Sequence, residues 1–224
     1  MSSVSTATLA QRLAAEALGT SLLLATVVGS GIMGERLAGG NAAIVLLANA
    51  IATGCALYVL ITIFGPVSGA HFNPLVTLVE RARGNMVSKD AALFIGTQAV
   101  AAVIGVFIAH AMFELPMVSL SQHARTGGAQ WFSEFVATFG LLTIILQGAK
   151  ARPTALPALV AAYITAAYWF TSSTSFANPA VTFARALTDT FSGIRIIDAP
   201  MFILAQLVGT VSAYGLFRWM NDNK

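Results

Sequence analysis

The sequence predicts an all-α membrane protein: six transmembrane helices plus two re-entrant half-helices in an inverted repeat. Three observations carry this. The 224 residues are 57% hydrophobic and only 9% charged, whereas a soluble domain carries about 25% charged residues. Six apolar stretches, at about 13–33, 43–64, 91–113, 131–147, 156–171 and 199–219, approach the roughly 20 residues that a spanning helix needs. Finally, an Asn-Pro pair occurs twice, at Asn73-Pro74 and Asn178-Pro179, each inside a segment too short to cross a bilayer.

The first span carries one carboxylate, Glu16, and the second has no charged residue over 22 positions. The stretch Ser68-Gly69-Ala70-His71-Phe72-Asn73-Pro74-Leu75 follows. Its small and polar residues suit a loop, its Asn suits an N-cap and its Pro suits the first helical position. The third span contains Gln98, and residues 114–130, with Pro116, Gly127 and Gly128, form the natural linker. The fourth span carries Glu134 and the fifth is short. A second stretch, Ser172-Ser173-Thr174-Ser175-Phe176-Ala177-Asn178-Pro179-Ala180, repeats the loop-cap-helix pattern before the sixth span with Gln206. A short helix with irregular backbone is tolerated at membrane depth only where it lines a cavity or is buried in protein.

Basic residues set the orientation. With the N-terminus inside, Arg12, Arg81, Arg83, Lys89, Lys150, Arg152, Arg218 and Lys224 lie inside, against Arg36, Arg125, Arg185 and Arg195 outside. Both termini are therefore expected in the cytoplasm of a cell (inner or plasma) membrane. The polar start, residues 1–11, lacks a basic region before a short apolar core, so no cleaved signal peptide is expected. The net charge of +3 suits loops facing anionic lipid and gives no reason for a nucleic-acid role. The single cysteine, Cys55, forms no intrachain disulfide and reads as a small core residue. No metal-ligand cluster, cofactor motif or nucleophile–base pair is present, so neither an enzyme nor a metal site is expected.

The two halves repeat. Glu16 and Glu134 are 118 residues apart, the Asn-Pro pairs 105, and Gln98 and Gln206 108. Three spans per unit is odd, so the second copy enters the membrane inverted. Repeat one covers about 9–113 and repeat two about 131–219, within a single transmembrane domain. Such repeats place a site near the midplane, at the repeat interface.

With these motifs, the Ser-Gly-Ala-His lead-in and the paired Glu and Gln residues, the chain resembles the major intrinsic protein family, the aquaporins and aquaglyceroporins, over about residues 12–219. The resemblance implies six tilted helices around one pore, two half-helices meeting end to end, and a homotetramer. Two helix N-termini meeting at the midplane repel cations and accept neutral molecules with lone pairs. Asn73 and Asn178 can offer side-chain N–H groups to the lumen, and the loops before them a ladder of carbonyls. Glu16 and Glu134, costly at membrane depth, read as supports for the two loops. His71 reads as a loop histidine, because no second ligand lies nearby at metal spacing. His110 and His123 have no motif around them.

Three departures from the family pattern bear on selectivity. Leu75 stands where the first motif normally has Ala. Val181 stands where the family usually has Arg, with Arg185 one helical turn later. Counting without gaps, the remaining constriction positions fall at Thr53, Ala166 and Ser175, which gives a small, uncharged and wide ring. An offset in span five would instead bring Tyr168, Trp169 or Phe170 into the opening. The expected function is a passive channel for small uncharged solutes, glycerol-like polyols or metalloid hydroxides such as arsenite, together with water. A water-selective channel is the alternative, and an ion-coupled transporter is a remoter one.

Overall fold

The computed structural model describes residues 7–221. The first six residues, part of the polar start, and Lys224, counted among the inner basic residues, lie outside them. Among the described residues there are eight α-helices. Six are long and apolar enough to cross a membrane: α1 (Leu9–Leu37), α2 (Ala42–Ser68), α4 (Ser88–Met112), α5 (Gly128–Ala151), α6 (Leu156–Phe170, extended at its start by a 3-10 turn over Pro153–Ala155) and α8 (Ala199–Asn221). The other two are the half-helices α3 (Pro74–Ala82) and α7 (Pro179–Ala184).

Helix boundaries follow the local chemistry. Thr8 caps α1 in a reciprocal capping box with Gln11. Asn41 caps α2 by accepting from the N–H groups of Ala43 and Ile44. α2 stops at Gly69, whose φ of 92° is open to glycine and strained for other residues. Asn73 and Asn178 cap α3 and α7, each followed by Pro at the first helical position.

The duplication is visible in the packing. α1 packs on α4 in the first half as α5 packs on α8 in the second, and α2 meets α6 across the halves. Glycines let the helices approach closely, as is usual between helices in lipid. A Cβ at Gly105 on α4 would collide with the Ser21 backbone and Leu24 of α1, and one at Gly209 on α8 with the backbone of Phe135 and Phe139 on α5. Large apolar side chains such as Ile51, Val59, Val100 and Val211 stay exposed on the outer faces, where a bilayer takes the place of a protein core.

The two crossings predict matching sensitivities. Gly105→Leu and Gly209→Leu should each cost about 1–3 kcal/mol by overpacking. Thermal unfolding of the purified variants in detergent should show the loss, and an unchanged midpoint for either would mean that the helices separate there at no cost.

Candidate functional site

The loops before α3 and α7 each hang from one buried carboxylate. Glu16 Oε1 accepts from Ser68 Oγ (2.7 Å) and the His71 N–H (2.9 Å), and its Oε2 from the Phe72 N–H (2.7 Å) and Gln98 Nε2 (2.9 Å). Glu134 accepts from the N–H groups of Phe176 and Ala177 (both 2.9 Å) and from Gln206 Nε2 (2.6 Å). Each Gln also donates to a half-helix threonine, Gln98 to Thr77 and Gln206 to Thr182. His71 joins the first set through a 3.0 Å contact of its Nδ1 with Thr77 Oγ1. All four Glu and Gln side chains are fully buried.

These bonds hold a backbone that free peptides avoid. Ala70 and Phe72 have φ of 50° and 48°, and their counterparts Ser175 and Ala177 have 54° and 47°. Left-handed backbone in non-glycine residues costs about 1–3 kcal/mol each and persists only when its surroundings fix it. Here the flanking N–H groups are tied to the carboxylates. The carbonyls of Gly69, Ala70, His71, Ser175 and Phe176 accept no hydrogen bond from described residues, and all five residues line the central cavity.

The half-helices meet where Asn73 and Asn178 cross over. Asn73 Oδ1 caps its own helix through the Leu75 N–H, while its Nδ2 donates to the Ala177 carbonyl at 2.8 Å. Asn178 Oδ1 accepts from Ala180 and Val181, and its Nδ2 donates to the Phe72 carbonyl at 2.8 Å. The carbonyl ladder expected over 69–72 and 172–177 is therefore shorter: Phe72 and Ala177 are occupied by the amides, and Ser172 and Ser173 accept from Gln130 and Arg125. Each amide keeps a second hydrogen, and both Asn residues line the cavity.

The cavity, of about 100 Å³, has two unlike walls. Loops and amides form the polar wall. Leu23 and Val27 of α1, their counterparts Leu141 and Ile145 of α5, and Ile61 and Ile164 from α2 and α6 form the apolar wall. Thr53, Ser175 and Val181 line the cavity as well. Ser175 Oγ is buried without a hydrogen-bond partner.

Ala166 requires correction: it is exposed on the outside of α6 and does not line the cavity. The side chain at the lumen is Tyr168, whose hydroxyl lies 3.2 Å from Thr53 Oγ1. The expected ring without charge is corrected too. Arg185, in the 3-10 turn Arg185–Leu187 that follows α7, reaches the same cavity one turn beyond Val181. Its i, i+4 relation to Val181 was the available signal. Leu75, Pro74 and Ala180 are buried and do not line the cavity, and Pro179 is half-buried. Cys55 is exposed on α2, not in the core.

The linker, silent in the sequence, braces the loops on either side of α7. Arg125 donates to the carbonyls of Gly193, Ser173 and Phe191, and its backbone N–H donates to Asp198. Burial alone raises the Asp198 carboxyl, but bonds from Arg195 and from the Arg125 backbone outweigh it and hold the group below the usual carboxylate range. His110, without a motif in the sequence, is fully buried and bonds Pro116 and Met117 carbonyls through Nδ1 and Thr188 through Nε2.

A lumen framed by two inverted halves, with two helix N-termini facing each other at its middle, defines a transmembrane channel. The chain belongs to the major intrinsic protein family, whose family model matches residues 3–172 and 153–224. It is 54% identical over 212 residues to the aquaglyceroporin AqpS of Rhizobium meliloti (strain 1021), covering 95% of this chain and 91% of that protein. It is 27% identical to the probable aquaporin AqpM of Archaeoglobus fulgidus, over 96% of this chain and 98% of that one. The X-ray structure of the aquaglyceroporin from Plasmodium falciparum superposes with a TM-score of 0.73 over 94% of this chain and 96% of that chain at 17% identity, which shows the shared fold.

Removing either carboxylate should strand buried donors. Glu16→Leu and Glu134→Leu should each lose about 1–3 kcal/mol per unpaired N–H, seen as a lower melting point and poorer expression. Normal stability with loss of transport alone would instead assign the carboxylate a direct part in conduction.

Proposed function

We propose that the protein is a passive pore for small uncharged solutes larger than water, glycerol-like polyols or metalloid hydroxides, with water alongside. The observation that carries this is the two-faced lumen. Free carbonyls, two amide N–H groups and the unpartnered Ser175 hydroxyl form one wall, and branched aliphatic side chains form the other. A polyol presents hydroxyls along one edge and C–H groups along the other, so it exchanges its hydration for both walls at once. The name of AqpS, an aquaglyceroporin, points the same way.

The water-selective reading has one observation in its favour: Tyr168 and Arg185 fill the outer end that the sequence alone leaves wide. We assign selectivity to Thr53, Tyr168, Ser175, Val181 and Arg185, with pore diameter, lining donors and a fixed charge as its determinants. Glu16, Glu134, His71, Gln98 and Gln206 then serve as loop supports, and Asn73 and Asn178 as the midplane filter. The repeat boundaries at 9–113 and 131–219, the cytoplasmic termini in a cell membrane and the homotetramer belong to this reading. It assigns no catalytic role.

Flux in proteoliposomes should follow the solute gradient alone. Uphill accumulation driven by a proton or sodium gradient would sink the channel reading. Val181→Arg adds a bulky donor below Tyr168 and should reduce glycerol flux far more than water flux in swelling assays. Equal loss of both would show that Val181 does not face the narrowest point.

A further inference from the structure

We propose that the groove between α1 and α4 binds one phospholipid, with an acyl chain in the groove and an anionic headgroup on Lys89. The inference rests on the membrane spans and not on which solute the pore passes.

The groove has a volume of about 490 Å³ and shares no lining residue with the central cavity. Ala17 and Ser21 of α1 and Gly96 and Ala101 of α4 open it, and Leu93 and Ile104 stand exposed along it. The duplication supplies an internal control. At the offsets of the repeated Glu and Gln, Ala17 and Ser21 correspond to Phe135 and Phe139 of α5, and Gly96 corresponds to Leu204 of α8. Phe132, Phe135 and Phe139 form a stack, with successive ring centroids 6.0 Å apart. The same place on the scaffold is therefore bulky in one half and hollowed out in the other. A surface that only faces fluid lipid gives no reason for three such differences side by side.

Length and charge select the occupant. From Ala92 to Ile104 the groove follows α4 for about 18 Å at about 1.5 Å per residue. One leaflet of a roughly 30 Å hydrocarbon core is about 15 Å deep. A spanning helix of a second copy would need a seam along the whole bilayer, whereas an acyl chain needs one leaflet. Lys89 precedes Leu93, Gly96, Val100 and Ile104 by 4, 7, 11 and 15 residues, so it shares their helical face at the end of the groove nearest the helix start. It is exposed, and no described residue forms an ion pair or hydrogen bond with it. The other cations there are engaged: Arg12 pairs with Asp90, and Arg81 donates to Ser88. A lysine in this place lays its stem along apolar surface, carries its ammonium to the headgroups and attracts anionic lipid.

The groove also backs onto the pore. Ala17 follows Glu16, and Thr97, which lines the groove, precedes Gln98. A chain seated there packs behind the two residues that hold the first pore loop.

The test uses the full chain, stripped of lipid in detergent and titrated with phosphatidylglycerol or phosphatidylcholine under native mass spectrometry. Wild type should bind a first phosphatidylglycerol per chain more tightly than later ones and more tightly than phosphatidylcholine. Lys89→Gln should weaken that first step about fivefold, the worth of one lysine at an anionic surface, and leave phosphatidylcholine unchanged. Gly96→Leu, which copies the second half, should remove the tight first step for both lipids. A Cβ at Gly96 meets nothing within 4 Å, and leucine is the better helix former, so this variant keeps the fold. Phosphatidylglycerol bound as tightly by Gly96→Leu as by wild type overturns the inference. So does a Lys89→Gln loss that is equal for the two lipids. A Gly96→Leu chain that changes its oligomeric state while keeping its lipid would assign the groove to a contact between copies and overturn it as well. Binding is read without a transport assay, so the result stands apart from the channel reading.

Discussion

Two carboxylates without access to water hold the pore in shape. Glu16 and Glu134 sit where an ion is expensive, and each is accepted there because four or three donors converge on it. The relation is reciprocal. The loop N–H groups have no helix to join, and the carboxylate has no water. Binding each other, they fix a left-handed backbone at Ala70, Phe72, Ser175 and Ala177. That backbone leaves several carbonyls unpaired along the lumen. The line of acceptors available to a solute is thus a consequence of where two glutamates are anchored in helices α1 and α5.

The two halves are built alike near the midplane and differ toward one end. Leu23 and Leu141, Val27 and Ile145, and Gln98 and Gln206 form matched pairs, so the middle of the pore has an approximate twofold character. At that end the match stops. Arg185, Tyr168 and the linker clamp Arg125 line or frame one mouth only. A symmetric scaffold supplies the passage, and asymmetric additions to it distinguish its ends.

The sequence alone conveyed the scaffold well because its signals are local or periodic. Apolar run length, an Asn-Pro cap and a repeated Glu survive without knowledge of the fold. Glu16 and Glu134 were assigned their loops from symmetry. The constriction ring is less legible. Counting through α6 points to Ala166, but counting is insensitive to the rotation of a helix about its axis; the structure turns Tyr168 inward instead. Arg185 was visible one turn past Val181, but the 3-10 turn that carries it into the lumen has no sequence mark. The linker gave only turn residues, although three carbonyls from two loops meet on Arg125.

The crossed amides of Asn73 and Asn178 bear on how the molecule is made. Each donates to the loop of the opposite half, so neither loop is complete by itself. A ribosome must add more than 100 residues after Asn73 before its acceptor, the Ala177 carbonyl, exists. The contact between the two half-helix tips therefore cannot be completed before residues 177 and 178 have been made.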